Sequence, residues 1–236
     1  MNASVVRKMI IPGIFLLISS LSYGQRDSTE MVRYTHDFRF NDGIFLNFDQ
    51  VKHNDPIPKA RLLTPVSLSD QEFFRKVLAK EMIYYYDDFG IRQEVKKDNI
   101  WGYSRNGILY IQVGGDFHRI AVFGGICHFV ANITTYETRY YDPYYYRYSY
   151  YNYYYPSYPN TYSKTEMRQF ILEFDSGKVM EYTVNSVEMA LMRDPELHDE
   201  YMALRHRKKK QRKFLFIRQF NERNPIYIPA EKLHLI

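Results

Sequence analysis

Cys127-His128 is the most reactive pairing of residue types in the chain. A cysteine nucleophile needs an imidazole base within hydrogen-bond reach. The pair lies in the apolar stretch Ile126 to Thr135, which reads as a strand, and neighbours on a strand point to opposite faces. Cys127 is therefore expected to be a buried structural residue. Asp87, Asp88 and Asp116 are carboxylates that could share acid–base work on a glycan or peptide. Each also sits in a turn signal, Asp87-Asp88-Phe89-Gly90 or Gly114-Gly115-Asp116. His198-Asp199-Glu200 is rich in ligand atoms, but it opens a helix, where carboxylates complement the macrodipole. None of the seven histidines shows metal-ligand spacing. Nucleophile-elbow, dinucleotide and P-loop patterns are missing, and neither Gly114-Gly115 nor Gly124-Gly125 leads into the helix that a phosphate loop requires. Trp101 is expected to anchor the core. No cofactor and no metal are expected, and a binding protein is favoured over an enzyme.

Two features of composition stand out instead. The chain has 236 residues with 24 Tyr, 16 Phe and one Trp. Fourteen of the tyrosines fall in residues 136–162, a low-complexity tract with no period of a strand or helix. Such a tract reads as an insertion between two strands. Rigid, amphipathic tyrosine rings suit a recognition loop. Its candidate contact residues are Tyr144, Tyr145, Tyr146, Arg147, Tyr150, Tyr151, Tyr153, Tyr154 and Tyr155. The second feature is a basic run: Arg205, Arg207, Lys208, Lys209, Lys210, Arg212 and Lys213, with no acid among them. Beyond the first 24 residues the chain holds 30 basic and 27 acidic residues, a balance of +3 that becomes −4 without these seven. The basic character is therefore one segment. It is a candidate contact for an anionic partner.

These residues need elements to hold them. Asn47 with Gln50, Ser69 with Glu72, and Asn185 with Glu188 have capping-box spacing, so helices are predicted from about 48, 70 and 186. Asp194-Pro195 starts another, Asp as N-cap and Pro at the first position. No breaker follows until Asn224-Pro225, which predicts one helix over 195–222, with a break near 208 as the alternative. Strands are predicted at 44–48, 82–86, 91–95, 100–103, 108–113, 118–123, 126–135, 168–175 and 179–184. Asn106-Gly107 is a strong hairpin signal. Two stretches echo each other: Phe40 to Pro56 and Phe174 to Pro195 both run turn, strand, capped helix, proline. The prediction is α+β: an antiparallel, possibly barrel-like sheet of seven to nine short strands with three or four helices, including a long C-terminal one.

The start of the chain reads as an address. Arg7 and Lys8 precede an apolar stretch from Met9 to Leu21, too short to span a bilayer. Ser22 and Gly24 occupy the small-residue positions of a signal-peptidase site. Residues 1–24 are thus a predicted signal peptide cleaved before Gln25, and 25–236 a single domain. Cys127 is the only cysteine, which excludes a lipoprotein and an internal disulfide. It also excludes a disulfide-stapled fold. A mean hydropathy of −0.47 excludes a polytopic membrane protein.

The segments FNDGIFLNFDQVKHNDPIP, IWGYSRNGILYI, GGICHFV, ILEFDSGKV and DPELHDEYMALRHRKKKQRKFLFIRQFNERNP resemble secreted proteins of Bacteroidota-type bacteria to which no activity is assigned. The resemblance covers most of the chain past the leader and implies an extracytoplasmic location. It also implies that Asp27-Ser28-Thr29 could be an O-glycosylation motif. The leading expectation is a non-enzymatic periplasmic or secreted protein associated with the cell envelope. Its partner would be an envelope polysaccharide, an envelope protein or an anionic membrane surface; export argues against nucleic acid. The alternative is a periplasmic hydrolase using carboxylates near Asp87, Asp88 and Asp116.

Overall fold

The computed structural model describes residues 31–139 and 160–229. The leader, the Asp27-Ser28-Thr29 motif and tract residues 140–159 lie outside them. The architecture is α+β. One sheet has eight antiparallel strands in the order β11-β10-β9-β8-β7-β6-β2-β3. These are β2 (Gly43–Phe45), β3 (Ile57–Pro58), β6 (Gly102–Arg105), β7 (Ile108–Val113), β8 (Asp116–Val122), β9 (Ile126–Arg139), β10 (Asn160–Glu173) and β11 (Val179–Glu181). From β6 to β11 the sheet is a meander, as glycine-punctuated short strands predict. Asn106 and Gly107 turn the β6–β7 hairpin with φ of 52° and 72°, the left-handed pair that a tight hairpin requires. Two further pairs stand apart: β4 (Met82–Tyr86) with β5 (Arg92–Lys96), and β1 (Met31–Arg33) with β12 (Tyr227–Pro229).

Side-chain alternation along the strands builds two faces. Phe45, Leu109, Ile111, Cys127, Phe129 and Leu172 turn to one face and form a single cluster. Ile44, Ile126 and Ile171 turn to the other, where two separate covers meet them. The sheet is curled but not closed. Helix α1 (Phe48–Lys52), which follows β2, reaches the turn after β10: Phe48 packs edge-on to Phe174 at 5.6 Å, and Lys52 Nζ donates to Asp175 O at 2.5 Å. Strands β2 and β10 lie far apart in the sheet order, so only curvature brings these groups together.

One cover is α2 (Phe73–Val77) with the β4–β5 hairpin, burying Phe73, Phe74, Val77 and Leu78. The other is α3 (Val184–Leu191), α4 (Pro195–Met202) and α5 (His206–Arg223), packed over Ile126 and Ile171. There are thus five α-helices among the described residues, and the helix predicted over 195–222 is two. The reason is geometric. Leu197 and Tyr201 on α4 and Phe216, Ile217 and Phe220 on α5 are all buried in one cluster. A straight rod of roughly 40 Å cannot lay both stripes on one patch. The chain turns at Ala203–Arg205, and the Tyr201 hydroxyl donates to Lys209 O at 3.1 Å, tying the helices together.

The caps are partly as predicted. Asn47 accepts from Gln50 N at 2.9 Å, while the Gln50 side chain accepts from Leu46 N, one residue before the expected partner. Asp194 accepts from Leu197 N at 3.1 Å. Two boxes are corrected. Asp70, not Ser69, accepts from a backbone N–H at the start of α2, that of Glu72 at 2.8 Å. Thr183, not Asn185, caps α3 by accepting from Ser186 N at 3.1 Å, which frees Glu188 for an ion pair. Gly124-Gly125 is more than a turn. A Cβ on Gly124 would lie 2.6 Å from the Asn221 side chain and one on Gly125 2.9 Å from Phe220. That clearance lets the Asn221 amide bond both the N–H and the carbonyl of Ile126, at 2.8 and 2.9 Å, clipping α5 onto the start of β9.

Candidate functional site

The basic run occupies the start of α5 and its N-cap, Arg205. At about 3.6 residues per turn its side chains spread around the helix. Lys209 and Lys213 fall on the inner side. Lys209 is buried, pairs with Glu188 at 2.6 Å and lies 5.7 Å from the Tyr201 ring centroid. Lys213 donates to Tyr182 O at 2.6 Å and sits 3.7 Å over the Tyr182 ring. Both are structural cations and leave the candidate surface. Arg205, Arg207, Lys208, Lys210 and Arg212 are exposed, and their side chains have no partner among the described residues. They crowd the end of a helix whose first turn carries no acid, where the macrodipole disfavours cations. Phe214 and Leu215 are exposed beside them, at 41% and 47%.

A cleft of about 500 Å³ lies between α5 and strands β10–β11, lined by Met167, Gln169, Tyr182, Lys210 and Lys213 among others. Arg168 and Glu181 on its wall are paired with each other at 3.1 Å. His128 lies beside it, edge-on to Tyr182 at 4.8 Å and to Phe214 at 5.7 Å. Burial holds the His128 imidazole below its ordinary pKa, and burial pushes the Tyr182 phenol up to about 12. Burial, then repulsion from Lys210, lowers Lys213.

The ribbon that leads to the tyrosine tract starts beside this region. The insertion was expected over 136–162, but β9 and β10 stay paired in register out to Arg139 opposite Asn160. Residues 136–139 and 160–162 are thus strand, and a ribbon carries the rest of the tract. Tyr144, Tyr145, Tyr146, Arg147, Tyr150, Tyr151, Tyr153, Tyr154 and Tyr155 lie outside the described residues. Met167 belongs both to this ribbon and to the cleft beside Lys210 and Lys213. The base of the ribbon therefore borders the basic helix, which no spacing in the sequence signals.

The other candidates resolve into structure. Cys127 is fully buried, donates to Gly124 O at 3.3 Å and is pushed up to about 12 by burial. His128 faces the opposite side of the sheet, bonded to Gln169 at 3.2 Å. Asp87 shapes the β4–β5 turn by accepting from the N–H groups of Phe89 and Ile91 and from the Gln93 amide. The Gln93 amide above all, then the Ile91 N–H, holds its carboxyl below the usual range. Asp88 pairs with Arg61. Asp116 opens β8 on a different hairpin, so the three carboxylates do not converge on one cleft among the described residues. Trp101 packs on Phe48 at 5.4 Å, at the edge of the core. Among the described residues no three His, Cys, Asp or Glu side chains gather to hold a metal, and no helix is long and apolar enough to cross a membrane.

The fold defines an α+β protein with an open, curled antiparallel sheet and a helical cover that presents a cationic face. Compared with protein-family models, curated proteins and solved structures, the chain matches none.

Proposed function

We propose that this is a non-enzymatic, extracytoplasmic binding protein that docks on the anionic surface of a cell-envelope membrane. The observation that supports this reading is the outer side of α5, where Arg207, Lys208, Lys210 and Arg212 stand exposed, without partners among the described residues, beside exposed Phe214 and Leu215. Cations alone would suit any acidic partner. Cations interleaved with an aromatic and an aliphatic side chain suit a lipid surface, where rings enter the headgroup layer and each cation gains about 1 kcal/mol from anionic lipid. The β9–β10 ribbon, whose Met167 lines the cleft with Lys210, carries exposed Tyr136 and Tyr162.

Co-sedimentation of the protein from Gln25 onward with lipid vesicles tests the proposal. Vesicles containing anionic phosphatidylglycerol should pull it down, vesicles of phosphatidylcholine alone should not, and high salt should release it. Changing Arg207, Lys208, Lys210 and Arg212 together to Gln should weaken binding at least tenfold. Equal binding to both vesicle types, or full binding by the Gln variant, overturns the proposal.

A further inference from the structure

A second cationic place lies on a different part of the molecule, between residues 34–40 and the β6–β7 and β7–β8 strand pairs. It is a cleft of about 400 Å³, within the usual range for small-molecule sites. Its wall is aromatic. Tyr34 and Phe123 are 4.8 Å apart, Phe40 and Phe123 5.0 Å, and Phe38 and Phe40 5.1 Å, so the rings brace one another. Phe40 is buried in the core, which fixes the base of this wall. The polar part of the lining includes Arg39, Arg119 and His36, and no Asp or Glu belongs to it.

Arg39 is held in place. Its Nη1 donates to the carbonyls of His36 at 3.0 Å and Phe38 at 3.1 Å. Its aliphatic stem lies against Gly107, where a Cβ would come within 2.3 Å of the stem. Gly107 is thus required twice, for a φ of +72° and for this close approach. With Nη1 engaged, the Nε and Nη2 edge of the guanidinium has no partner among the described residues. That edge is the planar fork that takes a carboxylate with two parallel hydrogen bonds. Arg119 is exposed and also unpaired among the described residues, so a second cation stands on the same lining. The Tyr34 hydroxyl has no hydrogen-bond partner among the described residues. Burial first of all raises its pKa, so it remains a donor.

We propose that this cleft binds a small organic acid, its carboxylate on the free edge of Arg39 and its apolar body against the Tyr34–Phe38–Phe123 wall. Binding requires no covalent step. The positioned guanidinium supplies direction, and the rings supply the apolar contact.

Titration of the protein from Gln25 onward with 3-phenylpropionate, followed by amide NMR, tests this. Saturable shifts should centre on Asn106, Gly107 and Ala121. The neutral analogue 3-phenylpropionamide should bind at least tenfold more weakly, and so should acetate, which keeps the charge but lacks the ring. Arg39→Gln should weaken 3-phenylpropionate at least tenfold while leaving shifts elsewhere in the spectrum unchanged. If Arg39→Gln does not fold, Arg119→Gln should weaken the acid and not the amide, and the acid–amide comparison on the unaltered protein stands by itself. Equal binding of acid and amide, shifts scattered away from the cleft, or no saturable binding overturns the proposal.

Discussion

Lys208 and Lys209 are neighbours in one basic run, and they have opposite fates. Lys208 is exposed with no partner among the described residues, whereas Lys209 is buried against Glu188, Met202 and the Tyr201 ring. A turn of about 100° between consecutive helical residues separates them. A run of like charge on a helix is therefore two populations. The inner one fastens α5 to α3 and α4, and the outer one is left to meet something else. Counting charges along the chain merges them, while the helical period splits them.

The sharpest break of this comparison comes from the inner side. Phe220 is fully buried between Gly125 and the cluster around Ile126 and Ile171. Phe220→Ala should cost about 3–5 kcal/mol in urea unfolding, since it removes a large side chain from a packed site. A loss below about 1 kcal/mol would mean that α5 is not fastened by this face. The lysines themselves come next. Lys209→Ala strands Glu188 in a partly buried place and should cost about 2 kcal/mol. Lys208→Ala should change stability by less than about 0.5 kcal/mol. A double-mutant cycle with Glu188→Ala should recover much of the Lys209 loss. Equal effects at 208 and 209 would erase the distinction between the two populations.

The ribbon shows the same contrast along its length. Phe170, Ile171 and Leu172 of β10 are in the core, while Lys164, Thr165 and Met167 are exposed. Deleting residues 140–158 should therefore leave the fold intact, with a melting-point loss below about 10 °C by calorimetry. A larger loss would place the tract within the folded unit.

Legibility in the sequence followed the range of the interaction. Local rules identified the β6–β7 turn from Asn106-Gly107, the cap of α4 from Asp194-Pro195, and the meander from its glycines. The echo of Phe40–Pro56 in Phe174–Pro195 is also real as local structure: β2 leads to α1, and β11 leads to α3. Its two copies take different places, β11 at the sheet edge beside β10 and β2 between β6 and β3. Capping boxes were less secure, because Asp70 and Thr183 compete with Ser69 and Asn185 at one and two residues' distance. What could not be read were the features that need tertiary contact. The sequence predicts a break only as the alternative and near 208; its place at Ala203–Arg205 depends on where the cluster under α5 lies. The burial of Lys209 depends on Glu188 across a helix pair. The cleft at Arg39 depends on Gly107 approaching from a distant hairpin, which local sequence describes only as a turn.

His128 gives the finest test, because it stands where the inner and outer sides of α5 meet. It packs between Tyr182 and Phe214 and is held below its ordinary pKa by burial. A histidine whose folded pKa is depressed binds more protons unfolded than folded. Its contribution is then fully present above the unfolded value near 6.5 and is lost as the pH falls from there toward the folded value. Stability should therefore decline as the medium is acidified below about pH 6.5, before the carboxylates begin to titrate. His128→Gln keeps a hydrogen-bonding side chain for Gln169 and removes the titration. Urea unfolding of the two proteins at pH 7.5 and at pH 5.5 should show the gap between these conditions narrowing in the variant. The narrowing should be smaller than the effect of any inner-face substitution, because the ring is only half-buried and can reach water when charged. An unchanged gap would mean that the side chain is as free to protonate in the folded protein as in the unfolded chain. The boundary between the fastened and the open side of α5 would then lie deeper, at Lys213.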